Sequence, residues 1–463
     1  MRWPALASID IRTATNLIAK HGNLAIGMIA QIVQYGAGLA VIPFMVTRLS
    51  PAEVGIWYVF VTVQGLAIIL DFGFQPTFAR AFALGYAGAK SLPRHGVGDV
   101  VATGQEPNWH LIAQALYAAQ RIYRWFALGG GVVLLGGGLF YVSALARRGG
   151  LAIDQIQIAW TIFAVAIVFN TSIMWISPLL LATNRIRQNY IYLIMARGGA
   201  AVIGIFVLLA GGKLIALACA SAVAIVAGRV LGAFMLREVT AETRCRSTGD
   251  PGTRRAIITA IWPNASRLGV VAIAGFLINR YSLFAISTLL GVVAASGYAI
   301  SLQLFGAVSA FAQLPMQIAV PSLVASHAQA DKSRLRIVLL RCIAAFILIF
   351  VTGATFVITV VPLLLTAIGS RTALLPMPEM SLLAGVLLLE GLHLTAAIFI
   401  TSANEVPFTR SALISGGAVA IGATIAIWAG LGIMGMIAWQ GLVQLSYNNW
   451  RWPLLAWKKV KPV

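Results

Sequence analysis

The sequence has few charged residues and few cysteines. Charged residues make up 10% of the 463 positions and hydrophobic residues 60%, a balance that ordinary soluble domains do not reach. The three cysteines, Cys219, Cys245 and Cys342, are widely spaced and form no metal-ligand or redox motif. No glycine-rich stretch is followed by the lysine of an ATP-binding loop. A soluble globular domain is therefore excluded, and energy for any transport must come from gradients or from consumption of the product.

Long hydrophobic runs recur along the whole chain. A bilayer core of about 30 Å requires about 20 apolar residues per helix. Backbone groups in lipid must be satisfied within each span, and the runs lack the alternation of barrel strands. We therefore predict an all-α polytopic membrane protein with about 12 transmembrane helices. The predicted spans are residues 24–47, 54–82, 122–146, 156–181, 189–210, 213–236, 260–287, 294–323, 338–366, 380–402, 411–429 and 431–455. The amphipathic stretch 109–125 is predicted to lie along the membrane surface.

Acidic residues are scarce, and the basic residues are distributed unevenly. The chain has 33 Lys and Arg residues against 13 Asp and Glu, which gives a net charge of +20. One set of connections carries most of this charge. The opposite set has only Arg48, Arg147, Arg148, Lys213 and Arg371. The positive-inside rule then predicts a multi-pass membrane protein with both termini in the cytoplasm. Because this distribution explains most of the charge, nucleic acid is not a predicted partner.

The two halves of the sequence are weakly similar. A shift of 241 positions aligns "LSPAEVGIWYVFVTVQGL" with "LGVVAASGYAISLQLFGA" and places Leu49 on Leu290. An even number of spans per half predicts parallel repeats, here two six-helix bundles related by a pseudo-two-fold axis along the membrane normal. We predict an N-terminal lobe (residues 1–240), a basic cytoplasmic linker (241–256) and a C-terminal lobe (257–463).

Three stretches resemble a known transporter family. "RLSPAEVGIWYVFVTVQGLAIILDFGFQPTFARAFA" is similar to the region that follows the first span in Wzx-type polysaccharide flippases, which belong to the multidrug/oligosaccharidyl-lipid/polysaccharide exporter superfamily. "LLLATNRIRQNYIYLIM" resembles the turn between the fourth and fifth spans of that family. "QLPMQIAVPSLVASHAQADKSRLR" resembles the end of its eighth span.

The resemblance implies a function and a set of partners. It implies two six-helix bundles around a central cavity that opens alternately to each side. The implied substrate is a polyprenyl-diphosphate-linked oligosaccharide, which is moved to the outer leaflet for O-antigen or exopolysaccharide assembly. Membrane lipids and a downstream polymerase are the other expected partners. No enzymatic activity and no cofactor are expected, and any coupling ion is H⁺ or Na⁺.

Arginines at membrane depth are the main candidates for substrate binding. Ionisable residues inside a bilayer are costly and usually face a cavity or a partner. Arg267 and Arg280 lie about 20 Å apart on the seventh span. Arginine binds diphosphate through paired hydrogen bonds, so we expect this pair to line the cavity, with Asn264 and Asn279 as further polar contacts. The alternative is that both side chains snorkel to lipid headgroups.

Four further residues are weaker candidates for substrate contact. Arg197 and Arg229 fall in the cytoplasmic halves of the fifth and sixth spans, where a substrate from the inner leaflet would first bind. For these two, snorkelling to the headgroups is the favoured alternative. Gln34 and Tyr35 in the first span are candidate sugar contacts, although polar residues that pack helices together are more common.

The acidic residues at membrane depth are assigned structural or coupling roles. Asp71 is expected to anchor neighbouring helices by pairing with an arginine such as Arg80, and direct substrate contact is the alternative. Glu390 and His393 are three residues apart, hence on one helical face. They could relay a proton, or they could form a hydrogen-bonded pair without a transport role. A second Glu-x-x-His motif is lacking, so no metal site is predicted.

Two rival functions remain open. A drug or metabolite exporter of the same fold would favour acidic cavity residues, for which Asp71 and Glu390 are the candidates. A membrane-embedded glycosyltransferase or ligase needs a carboxylate-bearing loop at the outer surface, and only Glu379 offers one.

Overall fold

The computed structural model describes residues 11–89, 91–92, 106–245, 251–329, 331–403 and 405–461. These residues form helices and connecting turns. The helices of the first half are α1 (Ile11–Arg48), α2 (Pro51–Leu70), α3 (Phe74–Tyr86), α4 (Trp109–Val132), a π-helical turn (Val133–Gly138), α5 (Leu139–Arg148), α6 (Ile153–Ser172), α7 (Ile176–Ala182), α8 (Ile186–Leu209), α9 (Leu214–Met235) and α10 (Arg237–Cys245). Those of the second half are α11 (Pro251–Asn279), α12 (Tyr281–Leu289), α13 (Val292–Ala328), α14 (Lys332–Thr359), α15 (Val361–Ala367), α16 (Met377–Thr401), α17 (Thr409–Trp428), α18 (Gly432–Ser446) and α19 (Asn448–Val460).

The prediction of an all-α polytopic membrane protein is confirmed. Within the described residues, 10 helical segments are long and apolar enough to cross a membrane. The two remaining predicted spans, 54–82 and 431–455, correspond to the interrupted pairs α2–α3 and α18–α19. Of the predicted linker 241–256, residues 241–245 end α10 and 251–256 begin α11, while 246–250 lie outside the described residues. The two-bundle layout agrees with this order of helices, and the lobe boundaries stay a prediction.

The prediction for residues 109–125 is wrong. This stretch is the first part of α4, which continues through the π-helical turn and α5 as one 40-residue rod, Trp109–Arg148. Its apolar face is buried against other helices: Ile112 and Ala115 are fully buried in a cluster with Phe78 and Leu179. The amphipathic pattern therefore reflects packing against neighbouring helices such as α3, which buries the apolar face that a membrane surface would otherwise cover.

The π-helical turn widens the third span at Val133–Gly138. A π-helix bonds i to i+5, so it disturbs the regular ladder of backbone hydrogen bonds. The indole Nε1 of Trp160 donates to the Leu134 carbonyl at 2.9 Å. A Cβ at Gly138 would lie 2.6 Å from the Trp160 ring, so glycine is required where this ring packs. The tryptophan thus stabilises the irregular turn from α6.

The two halves of the sequence meet at the end that carries the α1–α2 and α12–α13 turns. Arg148 Nη1 donates to the Thr288 carbonyl at 3.0 Å, and the Arg371 N–H donates to the Val46 carbonyl at 2.8 Å. Gly55 packs directly against the backbone of Val292, where a side chain would not fit. This end, predicted to be the outer one, is held by hydrogen bonds and close backbone packing between the halves.

Candidate functional site

Two arginines from different halves of the sequence lie within electrostatic range of each other. Arg280 occupies the break between α11 and α12, and it is within electrostatic range of Arg197 in α8 and of Tyr298 in α13. Both arginine side chains are exposed. Among the described residues, neither guanidinium has a hydrogen-bond or carboxylate partner. Two like charges held near each other without a counter-ion form a site at which an anion is stabilised.

Close helix packing positions this arginine pair. A Cβ at Gly198, next to Arg197, would lie 3.2 Å from Val33, which shows that α8 is packed against α1. The helix α1 also contacts α13, because a Cβ at Gly38 would lie 2.6 Å from the Gln303 amide. On the other side, Phe276 of α11 is 3.9 Å from the Cβ position of Gly65 in α2. Helices from both halves therefore pack next to α8, which carries Arg197, and next to α11, which Arg280 follows.

The seventh span does not bring its two arginines together. Arg267 lies in α11, about 20 Å before Arg280 along the helix, and its side chain is exposed. Asn264 is half-buried, and the Asn279 side chain donates to the Gly275 carbonyl at 2.8 Å. Arg280 is thus within electrostatic range of Arg197 and about 20 Å along the helix from Arg267, and the Asn279 side chain bonds its own helix.

Gln34 and Tyr35 lie on α1. The Gln34 side chain is exposed and that of Tyr35 is half-buried. Both precede Gly38, at which α1 contacts α13. Their place as sugar contacts stays a prediction.

Arg229 has an internal role. It is 5% exposed, its Nε donates to Asn170 Oδ1 at 2.8 Å, and its Nη1 donates to the Ile173 carbonyl at 3.2 Å. The guanidinium also lies over the Tyr192 ring, 5.2 Å from its centroid. Ile173 is located where α6 ends and α7 has not begun, and its carbonyl accepts from the Ile176 N–H at 3.3 Å as well as from Arg229. Arg229 therefore supplies a second donor to the carbonyl at this helix break. The snorkelling that we favoured for Arg229 does not occur, because its partners are inside the protein.

The substitution Arg229→Ala is expected to destabilise the protein. It would leave Asn170 Oδ1 without its described donor and remove one of the two donors to the Ile173 carbonyl, at a cost of about 1–3 kcal/mol. Thermal unfolding in detergent measures this effect. Arg187→Ala, a change in the neighbouring α8 at a position with no partner assigned in the described residues, is the control. Equal stability of the two variants would contradict the internal role of Arg229.

Asp71 anchors the break between α2 and α3. Its Oδ1 accepts a hydrogen bond from the Tyr123 hydroxyl at 2.6 Å, and its Oδ2 accepts from the Gln75 N–H at 3.2 Å. Asp71 thus connects the break to α4 through Tyr123, whereas the expected pairing with an arginine such as Arg80 stays a prediction. Arg80 lies on α3, beyond the break. Asp71 is 7% exposed, which leaves little of its carboxylate accessible to a substrate.

Glu390 and His393 face the last span rather than each other. The Gln440 amide of α18 donates to Glu390 Oε1 at 2.9 Å. His393 Nδ1 is 2.7 Å from Asn449 Oδ1 of α19. The two residues therefore form separate contacts on either side of the break at Tyr447. The mutually bonded pair is not formed, whereas the proton relay stays a prediction.

Polar uncharged residues at membrane depth were missed by reasoning from the sequence. Tyr123, Asn170, Gln440 and Asn449 each bond one of the charged residues discussed above. Their signal was available, because amides inside predicted spans are uncommon and usually have a partner.

A cavity of about 640 Å³ lies away from these residues. It is bounded by the start of α6, by α8 and by α9, with Lys213 and Glu53 among its lining residues. Its walls are otherwise mainly aliphatic. None of the predicted site residues lines it.

Comparison with known proteins identifies the class of the fold. No family model matches the chain, and no curated protein matches it in sequence. The fold is that of transporters of the MOP superfamily.

Individual solved structures support this assignment over nearly the whole chain. An inward-facing multidrug resistance MATE family transporter of the MOP superfamily matches with a TM-score of 0.62 and 16% identity, covering 95% of this chain and 97% of that one. An outward-facing MATE family transporter matches at 0.56 and 14%, covering 95% of each chain. The lipid II flippase MurJ in its inward closed conformation matches at 0.60 and 10%, covering 94% of this chain and 87% of that one. At these identities the likeness shows the fold.

Proposed function

We propose that this protein is a Wzx-type flippase, which moves a polyprenyl-diphosphate-linked oligosaccharide from the cytoplasmic to the outer leaflet of a bacterial inner membrane. One observation carries the proposal: Arg197 and Arg280, from the two halves of the chain, lie within electrostatic range of each other, both exposed and without a carboxylate partner among the described residues. A diphosphate dianion would supply the missing counter-charge and accept paired hydrogen bonds from both guanidiniums. The product would supply O-antigen or exopolysaccharide assembly, with a polymerase as the next protein to act.

The distribution of acidic residues favours an anionic substrate over a cationic drug. Asp71 and Glu390 are both nearly buried and bonded to Tyr123 and Gln440. They therefore offer little accessible negative charge to a cationic molecule, whereas Arg267 is exposed like the arginine pair. The MATE-like fold alone is compatible with either substrate class.

The mechanism follows from separating headgroup and tail. The charged headgroup would leave water only by entering the space between the lobes, because an unpaired diphosphate is too costly to place in lipid. The polyprenyl tail would stay in the bilayer during this movement. Rocking of the lobes would then expose the same arginines to the other side. With the cell interior negative, each negative charge carried outward gains about 2.3 kcal/mol per 100 mV.

A transport assay with purified protein in liposomes tests the substrate class. We expect movement of a fluorescent lipid-linked oligosaccharide with a diphosphate linkage, and none of the matching neutral glycolipid that lacks the phosphates. A cationic dye should not accumulate. Dye transport without flipping of the diphosphate lipid would instead identify a drug exporter, and flipping of both glycolipids at equal rates would remove the role of the arginines.

A further inference from the structure

The backbone between α2 and α3 adopts a conformation that needs support. Phe72 has φ 46° and Gly73 has φ 74°, so two consecutive residues lie in the left-handed region. Glycine adopts this region without strain, whereas a bulky aromatic residue rarely does. The surrounding structure must therefore hold Phe72 in place.

The first half of the chain holds one side of this break. The Tyr123 hydroxyl and the Gln75 N–H both donate to the Asp71 carboxylate, and the Phe74 N–H donates to the Asp71 carbonyl at 2.9 Å. These bonds tie the break to α4 and to the first turn of α3. They do not contact the Phe72 side chain, which is left to pack elsewhere.

The helix α11, from the second half, holds the other side. The Phe72 ring stacks on Trp262 with the ring centroids 6.0 Å apart and the planes at 19°. A Cβ at Gly269 would lie 2.5 Å from Phe72 Cγ, so the ring fills the space that this glycine leaves. A Cβ at Gly73 would in turn lie 2.8 Å from the Ala265 carbonyl. The break and α11 thus pack against each other at two positions, Gly73 and Gly269, where a side chain would not fit.

We infer that Phe72 and Gly269 form a latch that closes the end of the protein opposite the α1–α2 turn. The positive-inside rule predicts that this end is cytoplasmic. The opposite end is held by Arg148 and Arg371, so the described state is tied at both ends. A substrate from the inner leaflet can enter between the lobes only after α11 leaves Phe72. Packed interfaces of this kind switch between discrete arrangements rather than deforming continuously.

The latch makes alanine at position 269 an opening substitution. The added methyl group of Gly269→Ala would have to displace the Phe72 ring or α11 itself. We expect this overpacking to raise the ratio of open to closed molecules about fivefold or more. Gly275→Ala is the matched control, because it changes the same helix in the same way and a Cβ there meets nothing within 4 Å.

Distances between two spin labels measure the opening. The native cysteines are first replaced by serine. Cysteines that carry the labels are then introduced at two exposed positions, Ala83 of α3 and Ser333 of α14. Measurements are made on the full-length protein in lipid nanodiscs without substrate. We expect longer distances to gain population in Gly269→Ala, while Gly275→Ala keeps the parent distribution. Identical distributions for both variants would overturn the latch.

A double-mutant cycle separates the latch from general disturbance of α11. Phe72→Ala removes the ring and should also favour the open state, but Gly269→Ala added to it should have little further effect, because nothing is left to displace. Additive effects would contradict direct contact. Phe72→Ala only removes atoms and introduces no steric clash. If the Gly269→Ala protein is not produced in folded form, the distances measured in Phe72→Ala alone test the latch. The experiment measures a distance in the absence of substrate. Its outcome therefore does not depend on the proposed flippase activity.

Discussion

Replacing Arg197 and Arg280 together by alanine is expected to reduce transport of the diphosphate-linked oligosaccharide more than about 100-fold. Hydrogen bonds to charged groups contribute about 1.5–3 kcal/mol each, and 1.4 kcal/mol corresponds to a factor of ten. Because both guanidiniums would bind one dianion, each single substitution should already remove most of the effect. The two losses should therefore be far from additive.

Substitution of Arg267 shows whether the non-additive loss is specific to Arg197 and Arg280. Arg267 lies about 20 Å from Arg280 along α11, so it would meet the headgroup at a different stage of its passage. The effects of Arg267→Ala and Arg280→Ala on headgroup binding should add. Binding of a soluble sugar diphosphate to the purified variants measures both cycles, and Arg410→Ala, an exposed change at the start of α17, is the control. Wild-type binding and surface polysaccharide in the Arg197 and Arg280 variants would refute the assignment of the site.

Glu390→Gln is expected to abolish coupling of transport to a proton gradient while leaving the fold intact. Glu390 is 9% exposed, and its described hydrogen-bond partner is the neutral Gln440 amide. A buried carboxyl group without a cationic partner can accept a proton or a small cation, and glutamine reproduces its shape without titrating. Transport driven by a pH gradient should therefore fall to the rate seen without a gradient.

Liposomes with imposed gradients measure this coupling. Glu379→Gln is the control, since Glu379 lies in the first turn of the same helix, α16. A response to a Na⁺ gradient that disappears in Glu390→Gln would identify Na⁺ as the coupling ion at the same residue. Full retention of the pH response in the variant would show that Glu390 is structural. Glu390→Ala should additionally lower stability by about 1–3 kcal/mol, because the Gln440 amide would lose its acceptor.

The membrane spans could be predicted because their cause is local. Each span requires about 20 apolar residues, which hydropathy reveals directly. The interruptions of the spans were not predicted, because they depend on contacts between distant segments. Phe72 illustrates the difference: its left-handed backbone is held by Trp262 and Gly269, which follow it by some 190 residues. The surface assignment of residues 109–125 failed for the same reason, since its buried face packs on other helices such as α3.

The sequence was sufficient to predict which residues belong to the candidate site, but not which of them lie near each other. Scarcity of charge in the spans identified Arg197, Arg280 and Glu390 as candidates. Position along one helix suggested Arg267 as the companion of Arg280, whereas the structure provides Arg197 from another helix. Likewise, the shared face of Glu390 and His393 was correct, but each bonds a different amide on the last span. Partners from separate helices require tertiary structure, which a helical period cannot supply.

The irregular turn at Val133–Gly138 affects how this protein should be aligned with its relatives. A π-helical turn accommodates one residue more than an α-helix that connects the same two ends. A homologue with an unbroken α-helix at this point would be one residue shorter, and the gap would fall within a membrane span rather than in a loop. Trp160 and Gly138, which pack together at the turn, would mark the homologues that retain the extra residue.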